Sequence, residues 1–380
     1  MISVTIGRPS DVEVAPWNAL AARATPNAFM HPAALKAAQD TGFADVRVLQ
    51  AWGRVGTERQ LVGLWALQVR RILPLWPAVL EGLPYYYAFQ SSPMVDPAYA
   101  NDVMAAFLAA IRADPALPNV ISLQECDAEG EAFAALARQV EAGEYVLVRL
   151  TEEARPIATR EAGRKTGGST RKRLRQAWNR LSAQGRVEIV EARDPAAIDA
   201  AIESFLALEA GSWKGANGTA LLSKAADAAF ARRLIRDMAG AGAASVVSLQ
   251  CDGRALAAMV VLYCGTTAYT WKLGFDAAFS RYSPGAVLVD RTADMLLAGR
   301  GIAMIDSCSA ADSFVGQLWS GRRMMVDALV DVGQGRSFAF MLELARQRGY
   351  EQLRQIRNRL LVRQSPAGAV PKDSPAAQVA

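Results

Sequence analysis

The sequence predicts an α/β protein built as two domains, and three observations carry that expectation. Its 380 residues exceed the roughly 250–300 at which one hydrophobic core stops growing. Segments of helical and strand periodicity alternate along both halves. Between the halves the charge is uneven: from Arg155 to Arg186 there are ten Lys or Arg residues and one acid, Glu161. With 52% apolar and 21% charged residues, the composition is that of a packed globular chain, neither disordered nor fibrous.

In the first half, residues 17–24 and 32–40 have helical spacing. Residues 46–52 and 60–69 alternate as strands around a turn at 53–58. Pro74, Pro77 and Pro84 keep 72–89 from forming long regular elements, so this aromatic stretch is expected as a loop packed over a core. A helix at 101–113 places Val103, Phe107 and Ile111 on one face. A buried strand at 120–123, a helix at 132–142 and a strand at 145–150 close the unit.

The basic segment opens with a Gly-rich loop at 163–168, and Ser169 is the expected N-cap of the helix that follows. Leu174, Ala177, Trp178 and Leu181 share one face of it, leaving Arg171, Lys172 and Arg175 to solvent or ligand. A strand at 187–190 then leads to Asp194 as N-cap and Pro195 as first helical residue of a helix ending near Ala210. Ile198, Ile202 and Phe205 line an apolar stripe that ends in a carboxylate, Glu209. After a loop at 211–218 and a helix at 223–239, residues 245–250, 255–263 and 267–275 form a meander with a hairpin turn at Asp252-Gly253. A helix at 285–297, a strand at 302–306, a short helix at 314–319, a strand at 325–332 and a helix from Ser337 complete the second half. The expected boundaries are 1–155, a basic linker and helix at 156–185, a second domain at 186–360 and a disordered tail at 361–380.

Several function classes are excluded. No apolar run approaches the roughly 20 residues that span a bilayer, and the first residues do not read as a signal peptide, so the expected location is the cytoplasm. Cys126, Cys251, Cys264 and Cys308 are far apart and His31 is the sole histidine, which argues against a zinc site, a disulfide framework or a Ser-His-Asp scheme. His31 itself reads as a surface or loop residue. Cys308 follows a strand but has no histidine to activate it.

The chemistry-bearing stretch is the junction of the third meander strand with its helix, where Lys272, Gly274, Phe275 and Asp276 precede Arg281-Tyr282-Ser283-Pro284-Gly285-Ala286. A helix opening on Pro-Gly exposes unpaired N–H groups suited to a phosphate or pyrophosphate, with Arg281 beside them. Alternation along this strand puts Tyr269, Trp271, Leu273 and Phe275 on one face and Lys272 on the other.

The run from Phe205 through Glu209, Trp213, Lys214 and Gly215, then Gly218-Thr219, the meander, Gly274-Phe275-Asp276, Ser283-Pro284-Gly285 and Asp306, resembles the CelD-like domain of the GNAT superfamily of acyltransferases, which is related to the FemAB-like aminoacyltransferases. The resemblance covers about 165–345 well and the N-terminal half more loosely. It implies tandem GNAT-like domains, each with a mixed, mostly antiparallel sheet flanked by helices. It also implies transfer of an acyl group, acetyl first of all, from acyl-CoA to an amine of a sugar, peptide or other small acceptor, with a role in polysaccharide biosynthesis. The basic helix resembles the one that opens the second domain in that family. The family's Tyr-Lys pair after the aspartate strand is missing from 306–312.

On this reading Glu209 and Asp306 are the candidate catalytic residues. Arg281, Tyr282, Ser283, Gly285 and Ala286 hold the donor, while Trp213, Lys214, Lys272 and Asp276 meet the acceptor; no metal is required. Several have a structural alternative: Glu209 satisfied by Lys214 or loop N–H groups, Lys272 in a salt bridge or solvated, Trp213 as a loop anchor, Asp306 as a cap of the next loop. The rival readings are Fem-type transfer from aminoacyl-tRNA and a catalytically silent module that binds an anionic partner. Nucleic acid is disfavoured because the basic segment lacks interleaved aromatics.

Overall fold

The computed structural model describes residues 2–143, 145–161, 168–299, 301–333 and 335–364. The first half contains β1 (Ser3–Gly7), α1 (Val14–Ala21), α2 (Pro32–Asp40), β2 (Val46–Val55), β3 (Glu58–Arg70), β4 (Val79–Glu81), β5 (Met94–Val95), α3 (Ala100–Ala113), β6 (Val120–Asp127), α4 (Glu131–Glu141) and β7 (Val146–Thr159). The second half contains α5 (Ser169–Ser182), β8 (Val187–Ala192), α6 (Pro195–Ala210), α7 (Trp213–Ala216), α8 (Ala225–Gly240), β9 (Ala244–Cys251), β10 (Arg254–Cys264), β11 (Thr267–Phe275), α9 (Pro284–Ala298), β12 (Met304–Asp306), α10 (Phe314–Leu318), β13 (Gly321–Asp331) and α11 (Phe338–Gln364). Among the described residues no helix is long and apolar enough to cross a membrane.

The two halves repeat one plan. Four strands (β1–β4, then β8–β11) pair antiparallel in sequence. A helix (α3, then α9) crosses over to a strand parallel to the fourth: β6 beside β4, β12 beside β11. A further helix and strand close each unit. The closing strands are exchanged, however, in a single sheet of order β1-β2-β3-β4-β6-β13-β7-β12-β11-β10-β9-β8. Strand β13 lies between β6 and β7, while β7 reaches across to β12. The tandem arrangement is therefore one continuous mixed sheet flanked by helices.

Side-chain packing divides between the two faces. One face of the β10–β11 region packs with α6, α8 and the first half in the larger core, which includes Phe205, Phe230, Tyr269 and Trp271. The other packs α5, α9 and α10 around Leu174, Leu181, Val287, Leu288 and Trp319. Aromatic stacking joins the halves: Phe43 lies on Phe230 with ring centroids 4.3 Å apart and on Tyr87 at 5.7 Å.

Several local expectations change. Ser169 is the first residue of α5 rather than its cap; Gly168, at φ 97°, holds the cap position without a side-chain bond, a conformation glycine adopts without a Cβ penalty. Residues 163–167 of the expected loop lie outside the described residues, as do 365–380 of the expected tail; residues 361–364 continue α11. The 72–89 stretch packs over the core only in its second part, through Tyr85, Tyr87 and Phe89, whereas Leu75 is fully exposed. His31 is buried rather than on the surface: its Nδ1 accepts from the Ala33 N–H at 3.1 Å and caps α2. Burial pushes its pKa down to about 4.

Candidate acyl-transfer site

Strands β11 and β12 pair only through Thr267–Tyr269 with Met304–Asp306. At the point of parting, Thr270 Oγ1 donates to the carbonyls of Asp306 and Ser307 at 3.3 and 3.1 Å. Beyond it β11 runs on to Phe275 paired with β10 alone, so one edge of its backbone opens into a cleft between the parting strands. Asp276 then caps a turn of 3-10 helix at Ala277–Tyr282, accepting from the Ala278 N–H at 2.9 Å, and pairs with Arg254 at 2.6 Å.

Ser283 follows in the left-handed region (φ 49°, ψ 49°), and its side chain makes no capping bond to α9. Pro284 has no N–H, and Val287 N–H is the first to bond back into the helix, to the Ser283 carbonyl. The N–H groups of Gly285 and Ala286 thus have no acceptor within the helix, at its positive dipole end, a geometry that suits an anion. A Cβ on Gly285 would come within 3.2 Å of Leu273 Cδ2, so the glycine also lets α9 start close to β11. Arg281 is exposed, with its guanidinium 4.7 Å from the Tyr282 ring centroid. Helix α5 lies along α9 through the Arg171–Asp290 ion pair and the placement of Arg291 over Trp178 at 4.4 Å. Its Lys172, Arg173, Arg175 and Arg180 are exposed.

On the opposite face, Glu209 is only 1% exposed. Its Oε2 accepts from the Leu221 N–H at 2.9 Å and its Oε1 from Lys214 Nζ at 3.2 Å. Lys214 also donates to the Leu273 carbonyl at 3.4 Å. The carboxylate therefore ties α6, α7 and the segment at 221 to β11. Trp213 begins α7 and is 40% exposed, so it is not a core anchor.

The expected alternation along β11 fails at one point. Register shifts between Val260, which faces Lys272, and Val261, which faces Thr270, leaving Trp271 as the extra residue of a bulge. After the bulge the phase is reversed. Tyr269 and Trp271 belong to the larger core, while Leu273 and Phe275 pack into the other. Lys272 is on the same side as Trp271: its Nζ sits 4.5 Å from the Tyr87 ring centroid, and the Trp271 Nε1–H donates to the Tyr87 carbonyl at 2.8 Å. It forms no salt bridge with any described residue and, at 3% exposed, is not solvated, contrary to both structural alternatives. Burial pushes its pKa down to about 7, and Lys214 adds to the shift.

Asp306 lies at the strand exchange, fully buried. Arg155 on β7 and Arg323 on β13 donate to it at 3.5 and 3.4 Å, and the Cys308 N–H at 2.8 Å. Arg155 also donates to Glu125 at 2.5 Å and Arg323 to Asp127 at 2.6 Å, both carboxylates on β6. Five alternating charges thus stitch β6, β13, β7 and β12 together. Glu125, at one end of the network, and Cys308, beside it, have φ of 53° and 49°, strained positions for residues with a Cβ. Burial, reinforced by Asp306, pushes the Cys308 thiol pKa well up, against a nucleophilic role. Replacing Asp306 by Asn is expected to cost about 2 kcal/mol, because two buried guanidiniums lose a shared anion while each keeps one carboxylate. Urea denaturation would read the loss as a lower midpoint.

Tyr87, Asp227, Arg323 and Glu125 went unnoticed in the sequence. They come from the first half, α8 and β13, and no local spacing links them to β11 or β12.

Residues 168–314 match the model of an acetyltransferase (GNAT) domain. Among solved structures the chain is similar to FemX, with 10% identity and a TM-score of 0.58 over 85% of this chain and 96% of that one. It is also similar to L-PGS from Bacillus licheniformis, with 14% identity and a TM-score of 0.51 over 90% of this chain and 97% of that one. A conserved protein of unknown function from Bacteroides thetaiotaomicron VPI-5482 gives 12% identity and a TM-score of 0.51 over 87% of this chain and 100% of that one. No curated protein matches at a significant level. At such identities the structural likenesses speak for the fold, and the match over 168–314 speaks for the family of the domain that carries the parted strands. Residues 168–314 are thus a GNAT-superfamily acetyltransferase domain, within a chain whose fold is that of FemX.

Proposed function

We propose that this protein is an N-acyltransferase that moves an acyl group, acetyl first of all, from acyl-CoA to an amine of a sugar, peptide or other small acceptor. The observation that carries the reading is the parting of β11 from β12 beside a helix start with two unpaired amides. Gly285 and Ala286 would bind the donor's pyrophosphate, with Arg281 supplying charge and Tyr282 and Ser283 shaping the corner. The open edge of β11 would hold the acyl arm. The amine would approach from the face that carries Lys272, Tyr87, Lys214 and Trp213, where Glu209 and Asp306 fix the surrounding elements and Asp276 fixes the turn before the donor corner. Its nitrogen bonds to the thioester carbon, the carbon–sulfur bond breaks with its electron pair going to sulfur, and one amine proton must leave. Holding both reactants in register supplies much of the acceleration.

Acetyl-CoA at a hundred times its Kd is expected to stabilise the fold by about 2.7 kcal/mol, readable as a raised Tm. Arg281→Ala is expected to weaken binding about tenfold, the scale of one lost charge-assisted contact. Calorimetry that finds no binding of acetyl-CoA or longer acyl-CoA sinks this reading.

The exposed basic face of α5 and the FemX-like fold favour one second reading, aminoacyl transfer from charged tRNA. Stabilisation by charged tRNA and not by acyl-CoA would select it. A cytoplasmic, polysaccharide-related role belongs to the same proposal, and its check is whether sugar amines accept the acyl group.

A further inference from the structure

Acyl transfer to an amine needs a group that accepts the proton released as the new carbon–nitrogen bond forms. The carboxylates near Lys272 are already engaged. Glu209 accepts from Leu221 N–H and Lys214, Asp306 from Cys308 N–H and two arginines, and Asp227 from the Tyr87 hydroxyl at 2.5 Å. Protonation of any of them would discharge the anion that these bonds are made to and so weaken them.

Lys272 is placed differently. It lies two residues past the Thr270 tie, where the edge of β11 has just opened, and the bulge at Trp271 turns it towards the face shared with the first half. No hydrogen bond or ion pair joins its Nζ to a described residue; its neighbours are the faces of Tyr87 at 4.5 Å and Phe89 at 5.8 Å. The charged groups that face it are Lys214 from α7, Glu209 from α6 and Asp227 from α8, with the Cys308 thiol just after β12. Burial and Lys214 disfavour its ammonium form, while Glu209 and Asp227 favour it, as do the aromatic faces. An amine balanced in this way exchanges its proton near neutrality, whereas a solvated lysine would hold it.

We propose that Lys272 is the catalytic base of the transfer, its Nζ lone pair taking the proton from the acceptor nitrogen as that nitrogen adds to the thioester carbon. The inference rests on the acyl-transfer reading above. The tetrahedral adduct then collapses: the carbon–sulfur bond breaks, sulfur leaves with the electron pair, and Lys272 returns the proton to it. The sum is amine plus thioester giving amide plus thiol, with Lys272 restored.

The test uses the full chain, acetyl-CoA as donor, glycinamide and glucosamine as acceptors, and the variants Lys272→Met and Lys272→Arg. Both variants are expected to bind acetyl-CoA within about twofold of the parent protein, since the donor corner is untouched. Parent kcat/KM is expected to rise through about pH 7 and level off. Both variants are expected to lose about 10²–10³ in kcat together with that limb. Arg keeps the positive charge and cannot give it up, so a Lys272→Arg protein that retains kcat with only a changed KM overturns the base assignment in favour of an anion anchor. If acetyl-CoA fails to bind the parent protein, the donor reading falls instead.

Stability gives an independent readout. Folded Lys272 releases its proton near pH 7 and the unfolded chain near 10.5, so between these values the unfolded state holds more protons and stability should rise with pH. The parent protein is expected to gain on Lys272→Met across that window. A difference that does not change with pH overturns the proposal.

Discussion

A chain ending at Trp319 is expected not to fold. It would retain all of the 168–314 domain match and lose only β13 and α11. Yet β13 is an interior strand with β6 on one side and β7 on the other. Its removal strips hydrogen-bond partners from both neighbours and exposes the surfaces that pack on Val326, Leu329 and Val330, which are fully buried. It also removes Arg323 from between Asp127 and Asp306, leaving Asp306 with Arg155 as its one ion partner among the described residues. Buried backbone groups without partners cost about 1–3 kcal/mol each, so a few exceed the roughly 5–15 kcal/mol by which a domain is stable. Circular dichroism and size-exclusion chromatography would show an aggregated or unfolded product. A truncated chain that melts cooperatively near the parent temperature contradicts the exchange of closing strands.

Gly274→Ala is the second large effect, and it arises from a single methyl group. An added Cβ would lie 2.5 Å from the Glu209 backbone nitrogen and 2.8 Å from its Cα. These are main-chain atoms of α6, held by the helix and by the bonds of Glu209 to Leu221 and Lys214. No rotamer change relieves the clash, so α6 must lift from β11, at a cost of about 3 kcal/mol or more. The lift also widens the cleft beside Lys272, and activity should fall further than stability alone explains. Gly240→Ala, where an added Cβ meets nothing within 4 Å, is the matched control and is expected to stay within about 0.5 kcal/mol. Equal denaturant midpoints for the two variants would refute the close approach.

Much of this protein was legible in the sequence because its signals are local. Asp194 accepts from the Ala196 and Ala197 N–H groups with Pro195 as first helical residue, and Asp252-Gly253 turns the β9–β10 hairpin at φ of 48° and 79°, each as its residue type demands. Glu209 was recognised as the carboxylate ending an apolar stripe, and α9 as a helix opening on Pro284-Gly285. What escaped was set at a distance. Strand β7 runs to Thr159 through Glu152, Glu153, Arg155 and Pro156, a polar, proline-containing stretch that reads as a strand end. It stays extended because β13 and β12 pair with it.

The amino-acid sequence by itself determined most of the longer helices and strands, the tandem order of the two halves and the helix that opens on Pro284-Gly285, since these follow from residues a few positions apart. Only the tertiary structure decided which strands close which half, that Asp306 joins arginines from β7 and β13, and that a bulge at Trp271 turns Lys272 onto Tyr87. The physical reason is that strand pairing and burial are settled between segments far apart in the chain. One extra residue in a ladder reverses every side chain beyond it, and nothing in the strand's own alternation announces where that residue is inserted.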